Sequence, residues 1–184
     1  MKKILMIAAL MVATLSANAQ EMFLKPMVGG TLSTMTGDND GDAKMKVGLV
    51  AGAEFGYNFT ENMGVTAGLL YAMEGAKSKA LDKNLNLDYL NIPILFNYYI
   101  IPGLAVKAGV QPGFLMRAKV DGNDMKDYYK KFDLAIPLGA SYEFSDFVVD
   151  ARYNLGALFN ISDHGDSKVH NSVIQLTLGY KIPF

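Results

Sequence analysis

The chain has 184 residues, with 17 Lys and Arg against 18 Asp and Glu, two His, and neither Cys nor Trp. Hydrophobic residues make up 51% and charged residues 19%, which excludes a disordered chain and a collagen-like fibre. A formal charge of −1 argues against a nucleic-acid-binding protein, which would carry a basic stripe. Without Cys there is no disulfide, thiolate metal site, Cys nucleophile or lipoprotein anchor. The length predicts one domain.

The segment 1–19 has the pattern of a secretory signal peptide. Two lysines precede the apolar run Ile4–Leu15, and Ala17 and Ala19 form a small-residue cleavage site. The apolar run is shorter than the roughly 20 residues that a transmembrane helix needs. We therefore predict cleavage after Ala19 and an exported mature protein of residues 20–184.

After the cleavage site, apolar and polar residues alternate with a period of two, which indicates β-strands with one apolar face. The alternation is clearest in Leu104–Lys119, where every even position is apolar. In chain order the alternating segments are Leu24–Ser33, Lys46–Phe59, Val65–Glu74, Leu90–Tyr98, Leu104–Lys119, Phe132–Phe144, Phe147–Phe159 and Ile174–Phe184. They predict an all-β fold of about eight strands, each long enough to cross a bilayer when tilted.

The predicted connections alternate between short turns and long polar loops. The short turns are Thr60–Met63, Ile101–Gly103 and Ser145–Asp146, and the long loops are Met35–Lys44, Ala76–Asn84, Val120–Tyr129 and Ser162–Asn171. This alternation is typical of a single up-and-down antiparallel transmembrane β-barrel with both termini on the periplasmic side. Bulges or strand ends are expected at three prolines, which remove ladder donors: Pro93, Pro112 and Pro137.

The polar phase contains ten charged residues, five basic and five acidic, mixed with many glycines. They are Lys25, Glu54, Glu74, Lys107, Arg117, Asp133, Glu143, Asp150, Arg152 and Lys181. A soluble barrel would place its apolar face inside, but glycine gains nothing on a wet outer face, whereas inside a narrow barrel it makes room for long side chains. Because buried charges must be paired, we expect an interior ion-pair network that fills the bore rather than lining a channel.

Nine aromatic residues in apolar phase lie beside the short turns or the C-terminus. They are Tyr57, Phe59, Phe96, Tyr98, Tyr142, Phe144, Phe147, Tyr180 and Phe184. Aromatic residues favour strands in general, but that preference would not concentrate them at one end of a barrel. Their placement predicts a membrane-interface ring at the short-turn end.

Five stretches carry a resemblance to a known family: Tyr89–Tyr99, Ala108–Lys119, Phe132–Phe144, Val149–Ser162 and Val173–Phe184. They resemble the PorT-type outer-membrane β-barrel family of Bacteroidetes. The resemblance implies the fold and the outer membrane of a Gram-negative bacterium, but no residue here carries over a role in type IX secretion. Thr177, Gly179, Ile182 and Phe184 also look like the C-terminal signal that the barrel-assembly machinery reads.

Two loops hold residues that could bind a metal or catalyse hydrolysis. Asp38, Asp40 and Asp42 would suit Ca²⁺, but the Gly and Glu of an EF-hand are missing, so we expect a solvated acidic loop. His164, Asp166 and Ser167 could form a hydrolase site acting on lipopolysaccharide, but their spacing is too tight for a recognised triad.

A third loop is basic and aromatic. Lys126, Tyr128, Tyr129, Lys130 and Lys131 would meet lipid phosphates at the outer rim or form an ordinary polar edge. The expected partners are outer-membrane lipid, lipopolysaccharide and, during biogenesis, the assembly machinery, with no nucleic acid and a monomeric barrel.

Taken together, the sequence predicts a non-catalytic barrel with a structural or surface-interaction role and neither a cofactor nor a metal. A narrow-channel porin, a lipid-A-modifying enzyme and a surface receptor or adhesin remain the alternatives. The porin would show conductance, and the enzyme would lose activity on His164→Ala. The receptor or adhesin would lose binding on loop deletion without losing its fold.

Overall fold

The computed structural model describes residues 21–37, 43–78, 83–120, 123–124, 131–156 and 169–184. The predicted signal peptide lies outside these ranges. Every element in them is a β-strand: β1 Glu21–Gly37, β2 Ala43–Lys44, β3 Lys46–Asn58, β4 Met63–Ser78, β5 Lys83–Asn91, β6 Ile94–Ile101, β7 Leu104–Val120, β8 Asn123–Asp124, β9 Phe132–Phe144, β10 Phe147–Gly156, β11 Val169–Tyr180 and β12 Ile182–Pro183. Among the described residues, no helix is long and apolar enough to span a bilayer.

The strands form one closed antiparallel barrel with eight strand positions around its circumference. β5 and β6 together occupy one position, each of the seven other long strands occupies one, and β2, β8 and β12 are short additions. Closure occurs at β1, which pairs with β3 on one side and with β11 on the other, so that Thr31 lies opposite both Gly48 and Gln175. The prediction of a single up-and-down barrel of about eight strands is confirmed.

The apolar phase faces outward and the polar phase faces the bore. On β3, Val47 and Leu49 are 73% and 62% exposed, whereas Glu54 is fully buried. The period of two on this strand is therefore the alternation between the lipid-facing and the bore-facing surface of the wall. A soluble barrel would show the opposite arrangement.

Aromatic side chains collect around the short-turn end. The rings of Phe144 and Phe147 stack at 5.7 Å across the β9–β10 turn, and Phe147 meets Tyr180 edge-on at 5.3 Å. Aromatic residues are not confined to that end, because the exposed rings of Phe114 and Phe132 pack near the long-loop end with their centroids 5.5 Å apart. Aromatic residues therefore mark both ends of the wall, as in other membrane barrels, and not one end as predicted.

Each of the three prolines lies beside a break in a strand ladder. Pro93 falls in the interruption between β5 and β6, and its carbonyl accepts a hydrogen bond from the Gly68 N–H at 2.9 Å. Pro112 on β7 lies opposite the same interruption, and its carbonyl accepts a hydrogen bond from the Ile92 N–H at 2.8 Å. Pro137 lies where the pairing of β9 with β7 is interrupted. The missing N–H groups thus fall where the ladders are already broken.

The predicted long loop at 76–84 is mostly strand. β4 and β5 pair continuously from Leu70 opposite Asn91 to Ser78 opposite Lys83, which leaves only residues 79–82 between them. The polar residues of this hairpin lie in strands, because they alternate with leucines at Leu85 and Leu87. The polar composition of residues 76–84 predicts a loop, but the alternation of period two correctly indicates strands on both sides of residues 79–82.

A β-bulge in β7 reverses the facing of the residues that follow it. Tyr89 pairs with Leu115 and Asp88 pairs with Arg117, so Met116 is an extra residue. Leu115 points into the bore, but the Arg117 side chain is 57% exposed. The expectation that Arg117 lies in the interior network does not hold, because the bulge shifts its phase by one residue.

Two adjacent glycines of β1 give a test of the closed wall. A Cβ on Gly29 would lie 2.0 Å from the backbone oxygen of Leu176 on β11, whereas a Cβ on Gly30 would meet nothing closer than 3.7 Å. We expect Gly29→Ala to lower the free energy of unfolding by about 1–3 kcal/mol, because the seam between β1 and β11 must move apart.

The measurement is urea unfolding of the refolded barrel in micelles, followed by tyrosine fluorescence. Gly30→Ala is the matched control and should be neutral or stabilising by up to about 1 kcal/mol. Equal midpoints for the two variants would contradict this description of the β1–β11 seam.

Candidate functional site: the charged interior

Five charged side chains are buried together in the middle of the bore. Lys25 comes from β1, Glu54 from β3, Lys107 from β7, and Asp150 and Arg152 from β10. Three positive and two negative charges leave the cluster with a formal charge of +1. We call these five residues the central cluster.

Both carboxylates of the central cluster are held by more than one cation. Glu54 Oε1 lies 2.5 Å from Arg152 Nη1, and Glu54 Oε2 lies 2.8 Å from Lys25 Nζ. Asp150 contacts Lys107 Nζ at 2.6 Å and Arg152 Nε at 2.6 Å, with Lys25 Nζ at 3.7 Å. Each buried carboxylate is therefore fully compensated by charge, which is the condition under which a barrel interior tolerates it.

Two ion pairs of the central cluster join strands that are not neighbours in the barrel. Glu54 on β3 and Arg152 on β10 are separated by β1 and β11 in the wall, and Lys107 and Asp150 are separated by β9. Because no ladder hydrogen bond joins these strands, their side chains meet only by extending into the lumen. The cluster therefore occupies the cross-section of the bore rather than one side of it.

Glycines on neighbouring strands make room for these long side chains. Glu54 pairs in register with Gly68, and Arg152 pairs with Gly139. A Cβ on Gly68 would lie 2.6 Å from Glu54 Cγ, and one on Gly139 would lie 3.0 Å from Arg152 Cγ. The charged side chains thus lie flat over glycine backbone, and this explains the mixture of glycines and charges in the polar phase.

A second cluster lies at the short-turn end of the bore. Lys181 Nζ contacts Glu143 Oε2 at 3.1 Å and Glu21 Oε2 at 3.0 Å, and the Tyr99 hydroxyl donates to Glu143 Oε1 at 2.8 Å. Lys181 also lies over the ring of buried Phe23, 4.7 Å from its centroid. These side chains meet at the level of the short-turn aromatic residues.

The remaining predicted interior residues lie closer to the long-loop end. Glu74 is buried and accepts a hydrogen bond from Asn91 Nδ2 at 3.1 Å. Asp133 is half-buried and accepts from the Leu134 N–H at 2.9 Å. Arg117 is on the outer surface, where its guanidinium lies 3.8 Å from Asp88. Seven of the ten residues thus belong to the two clusters, and Glu74, Asp133 and Arg117 lie nearer the long-loop end.

The four residues of the predicted assembly signal belong to the strand that closes the barrel. Thr177 and Gly179 are buried against β1, where a Cβ on Gly179 would lie 2.9 Å from Lys25 Cγ. Ile182 is exposed and pairs with Leu24, and the Phe184 N–H donates to the Met22 carbonyl at 3.0 Å. The outward residues Ile182 and Phe184 are accessible from the membrane side.

The predicted loop sites lie outside the described residues. These are the acidic residues 38–42, the set His164, Asp166 and Ser167, and Lys126, Tyr128, Tyr129 and Lys130 of the basic loop. Lys131 is described and is exposed. Within the described ranges, no group of three His, Cys, Asp or Glu residues could hold a metal ion.

Among the residues that sequence reasoning missed, Glu21, Tyr99 and Asp88 each contact one of the predicted charged residues. Glu21 and Tyr99 belong to the short-turn cluster, and Asp88 accepts from the Tyr71 hydroxyl at 2.7 Å. Tyr99 has the same alternation phase as buried Asn97, a signal that could have identified it. No such signal exists for Asp88, because its contact with Arg117 depends on the bulge.

Comparison with known proteins identifies the same architecture. Residues 5–181 match the model of a family described as outer membrane protein beta-barrel domain, and no curated protein matches. Neisserial surface protein A superposes with a TM-score of 0.60 at 13% identity, covering 90% of this chain and 100% of that one.

Two further solved structures are similar. Ail of Yersinia pestis has a TM-score of 0.54 and 19% identity over 90% of this chain and 100% of its own. OprG of Pseudomonas aeruginosa has a TM-score of 0.51 and 18% identity over 88% and 96%. At these identities the similarity shows the fold alone.

Removing the arginine of the central cluster tests its contribution to stability. Arg152→Leu leaves Glu54 without its cation from β10 and Asp150 with fewer donors, so we expect the free energy of unfolding to fall by about 3–5 kcal/mol. Urea unfolding in micelles measures the loss.

Arg117→Leu is the matched control, because it removes an exposed arginine whose pair with Asp88 is worth less than about 1 kcal/mol. A midpoint for Arg152→Leu equal to that of the wild type would show that the central cluster contributes nothing to stability.

Proposed function

Because the chain belongs to the family of outer membrane protein β-barrel domains, we propose that it is a non-catalytic barrel whose bore is closed by its own side chains. Its long loops face outside the cell and carry a structural or surface-interaction role. The observation that carries this proposal is the central cluster, in which Arg152 from one side of the bore meets Glu54 from the other at 2.5 Å.

The two clusters together support a closed bore. Ions that enter from the short-turn end meet the contacts of Lys181 with Glu143 and Glu21, and beyond them the contacts of Glu54 with Arg152 and Lys25. Opening a path would require separating buried opposite charges, which costs several kcal/mol for each unpaired ion. This cost favours a sealed barrel over the narrow porin that the sequence left as an alternative.

A non-catalytic role is supported by the chemistry of the buried charges. The carboxylates and cations of the central cluster neutralise one another, so they are not available to abstract or donate a proton on a substrate. The hydrolase alternative therefore depends on His164, Asp166 and Ser167 alone. Their spacing in sequence is not one from which a triad is recognised.

We further propose a PorT-type barrel from Bacteroidetes, supported by the five stretches that resemble that family. The signal peptide would direct the chain to the periplasm, where the assembly machinery would read Thr177, Gly179, Ile182 and Phe184. The folded barrel would be monomeric, with outer-membrane lipid and lipopolysaccharide as its surroundings.

The test of the closed bore is conductance in a planar bilayer. We expect the refolded wild-type barrel to give no steady single-channel steps, because the ion pairs across the bore leave no continuous water path. A heat-modifiability gel verifies folding. Steady steps from the wild type would overturn the proposal and favour the porin.

The matched control for conductance is Lys25→Ser/Glu54→Ser/Arg152→Ser. This variant shortens three side chains that cross the bore and keeps the pair of Lys107 with Asp150 at 2.6 Å. It should give small steps if it folds, which would show that the assay detects a bore of this size.

The predicted export signal has a separate test. N-terminal sequencing of the protein purified from outer membranes should give Gln20 as the first residue, because cleavage follows Ala17 and Ala19. Ala19→Arg should leave the precursor uncleaved. A mature wild-type protein that still begins with residues 1–3 would contradict the prediction.

A further inference from the structure

The wall of the barrel is indented at the long-loop end of β4. The ladder between β3 and β4 ends at Val50 opposite Ala72, and pairing resumes only where β2 meets the last residues of β4. The carbonyl of Met73 accepts a hydrogen bond from the Thr31 hydroxyl at 2.8 Å, and that of Gly75 accepts one from Ser33 at 2.8 Å.

These hydrogen bonds draw β4 toward the inside of the barrel. The Thr31 and Ser33 side chains of β1 are buried on the bore side of the wall, so the β4 carbonyls that they contact must lie on that side. Gly48 of β3 permits the displacement, because a Cβ there would lie 1.9 Å from the Met73 carbonyl oxygen. The backbone of β4 is therefore recessed relative to its neighbours.

The recess leaves a cleft of about 390 Å³ on the outer surface. Met73 forms its floor, and Val47 and Leu49 of β3 form an apolar wall. The opposite wall is polar and comes from β5 and β7, with Asp88, Arg117 and Lys119. Val47, Leu49, Met73 and Arg117 are exposed and outward-facing, so the cleft opens toward the membrane, while Lys46 and Gly48 of β3 line its inner edge.

The polar wall of the cleft has cationic donors available. Arg117 is 57% exposed, and its guanidinium pairs with Asp88 at 3.8 Å. The Asp88 carboxylate also accepts from the Tyr71 hydroxyl at 2.7 Å. Because a guanidinium has five N–H donors, Arg117 can bind Asp88 and a further oxyanion at the same time. With Lys119, the wall carries two cations against one carboxylate.

An apolar wall facing a cationic wall selects an amphiphile with an anionic head. The cleft lies at the long-loop end, which faces the outer leaflet in a barrel with short periplasmic turns. Basic side chains at that depth meet lipid phosphates, while Val47 and Leu49 remain in contact with acyl chains. A small soluble anion would leave the apolar wall unused.

We propose that this cleft binds one phosphorylated lipid of the outer leaflet. Its phosphate lies against Arg117 and Lys119, and one acyl chain lies along Val47, Leu49 and Met73. The site goes beyond the proposed function and rests only on the outer-membrane location, because the cleft and the bore are on opposite faces of the wall.

The experiment is titration of the refolded mature barrel in dodecyl maltoside with diphosphorylated lipid A, read by native mass spectrometry. We expect one lipid bound per barrel. Arg117→Gln/Lys119→Gln should bind it about tenfold more weakly or worse, since two charge-assisted contacts are lost. Lys131→Gln, which removes an exposed lysine outside the cleft, should bind like the wild type. A heat-modifiability gel verifies that each variant is folded.

Two further arms use the unaltered protein, so the test does not depend on how the double variant folds. Dephosphorylated lipid A should bind at least about tenfold more weakly than the diphosphorylated form. Inorganic phosphate at equal concentration should not displace the lipid, because it makes no contact with the apolar wall. Equal binding of the two lipids, or complete displacement by phosphate, would overturn the proposal.

Asp88→Asn tests the charge balance in the opposite direction. Removing the carboxylate that competes for Arg117 should tighten lipid A binding several-fold, and weaker binding would overturn the charge assignment. A conducting wild-type barrel would overturn the proposed function and leave this site intact, since no residue of the central cluster or of the short-turn cluster lines the cleft.

Discussion

The contact between Glu54 and Arg152 is the interaction on which the rest of the interior depends. It joins two strands that share no ladder, and it places two full charges where water is excluded. Such a pair is tolerated only if every charge near it is compensated, and Lys25, Lys107 and Asp150 provide that compensation. The polar phase of four strands is thus constrained by one contact, and the glycines opposite these side chains follow from it.

The outer surface obeys a different rule from the interior. Its residues need only be apolar and of strand-forming type, because lipid does not require shape complementarity of the kind that a packed core demands. This difference explains why the stripes outside vary freely between Val, Leu, Ala and aromatic residues while the bore contains specific charge–glycine pairs such as Arg152 with Gly139. Specific residue pairs are therefore found on the inner face, whereas the outer face is mainly apolar and a polar group there is an exception.

The sequence was sufficient for the barrel, its strand number and the direction in which the apolar face points. Those features depend on a period of two sustained over long segments, so an irregularity at one or two positions does not change the prediction. It was not sufficient for Arg117 or for the hairpin near Leu85, since a single extra residue reverses facing and polar strands look like loops. Nor could it pair Glu54 with Arg152 across the bore, because alternation specifies a face and not a partner on the far wall.

The bulge at Met116 has a consequence for how such a barrel can change over time. Before it, residues in polar phase such as Lys107 and Gln111 are buried in the interior; after it, the same phase belongs to the outer surface. One inserted residue thereby separates the part of β7 whose polar phase faces the bore from the part whose polar phase faces outward. Substitutions at the rim of the barrel, including those around Arg117, can therefore change the outer surface without touching the ion pairs of the central cluster.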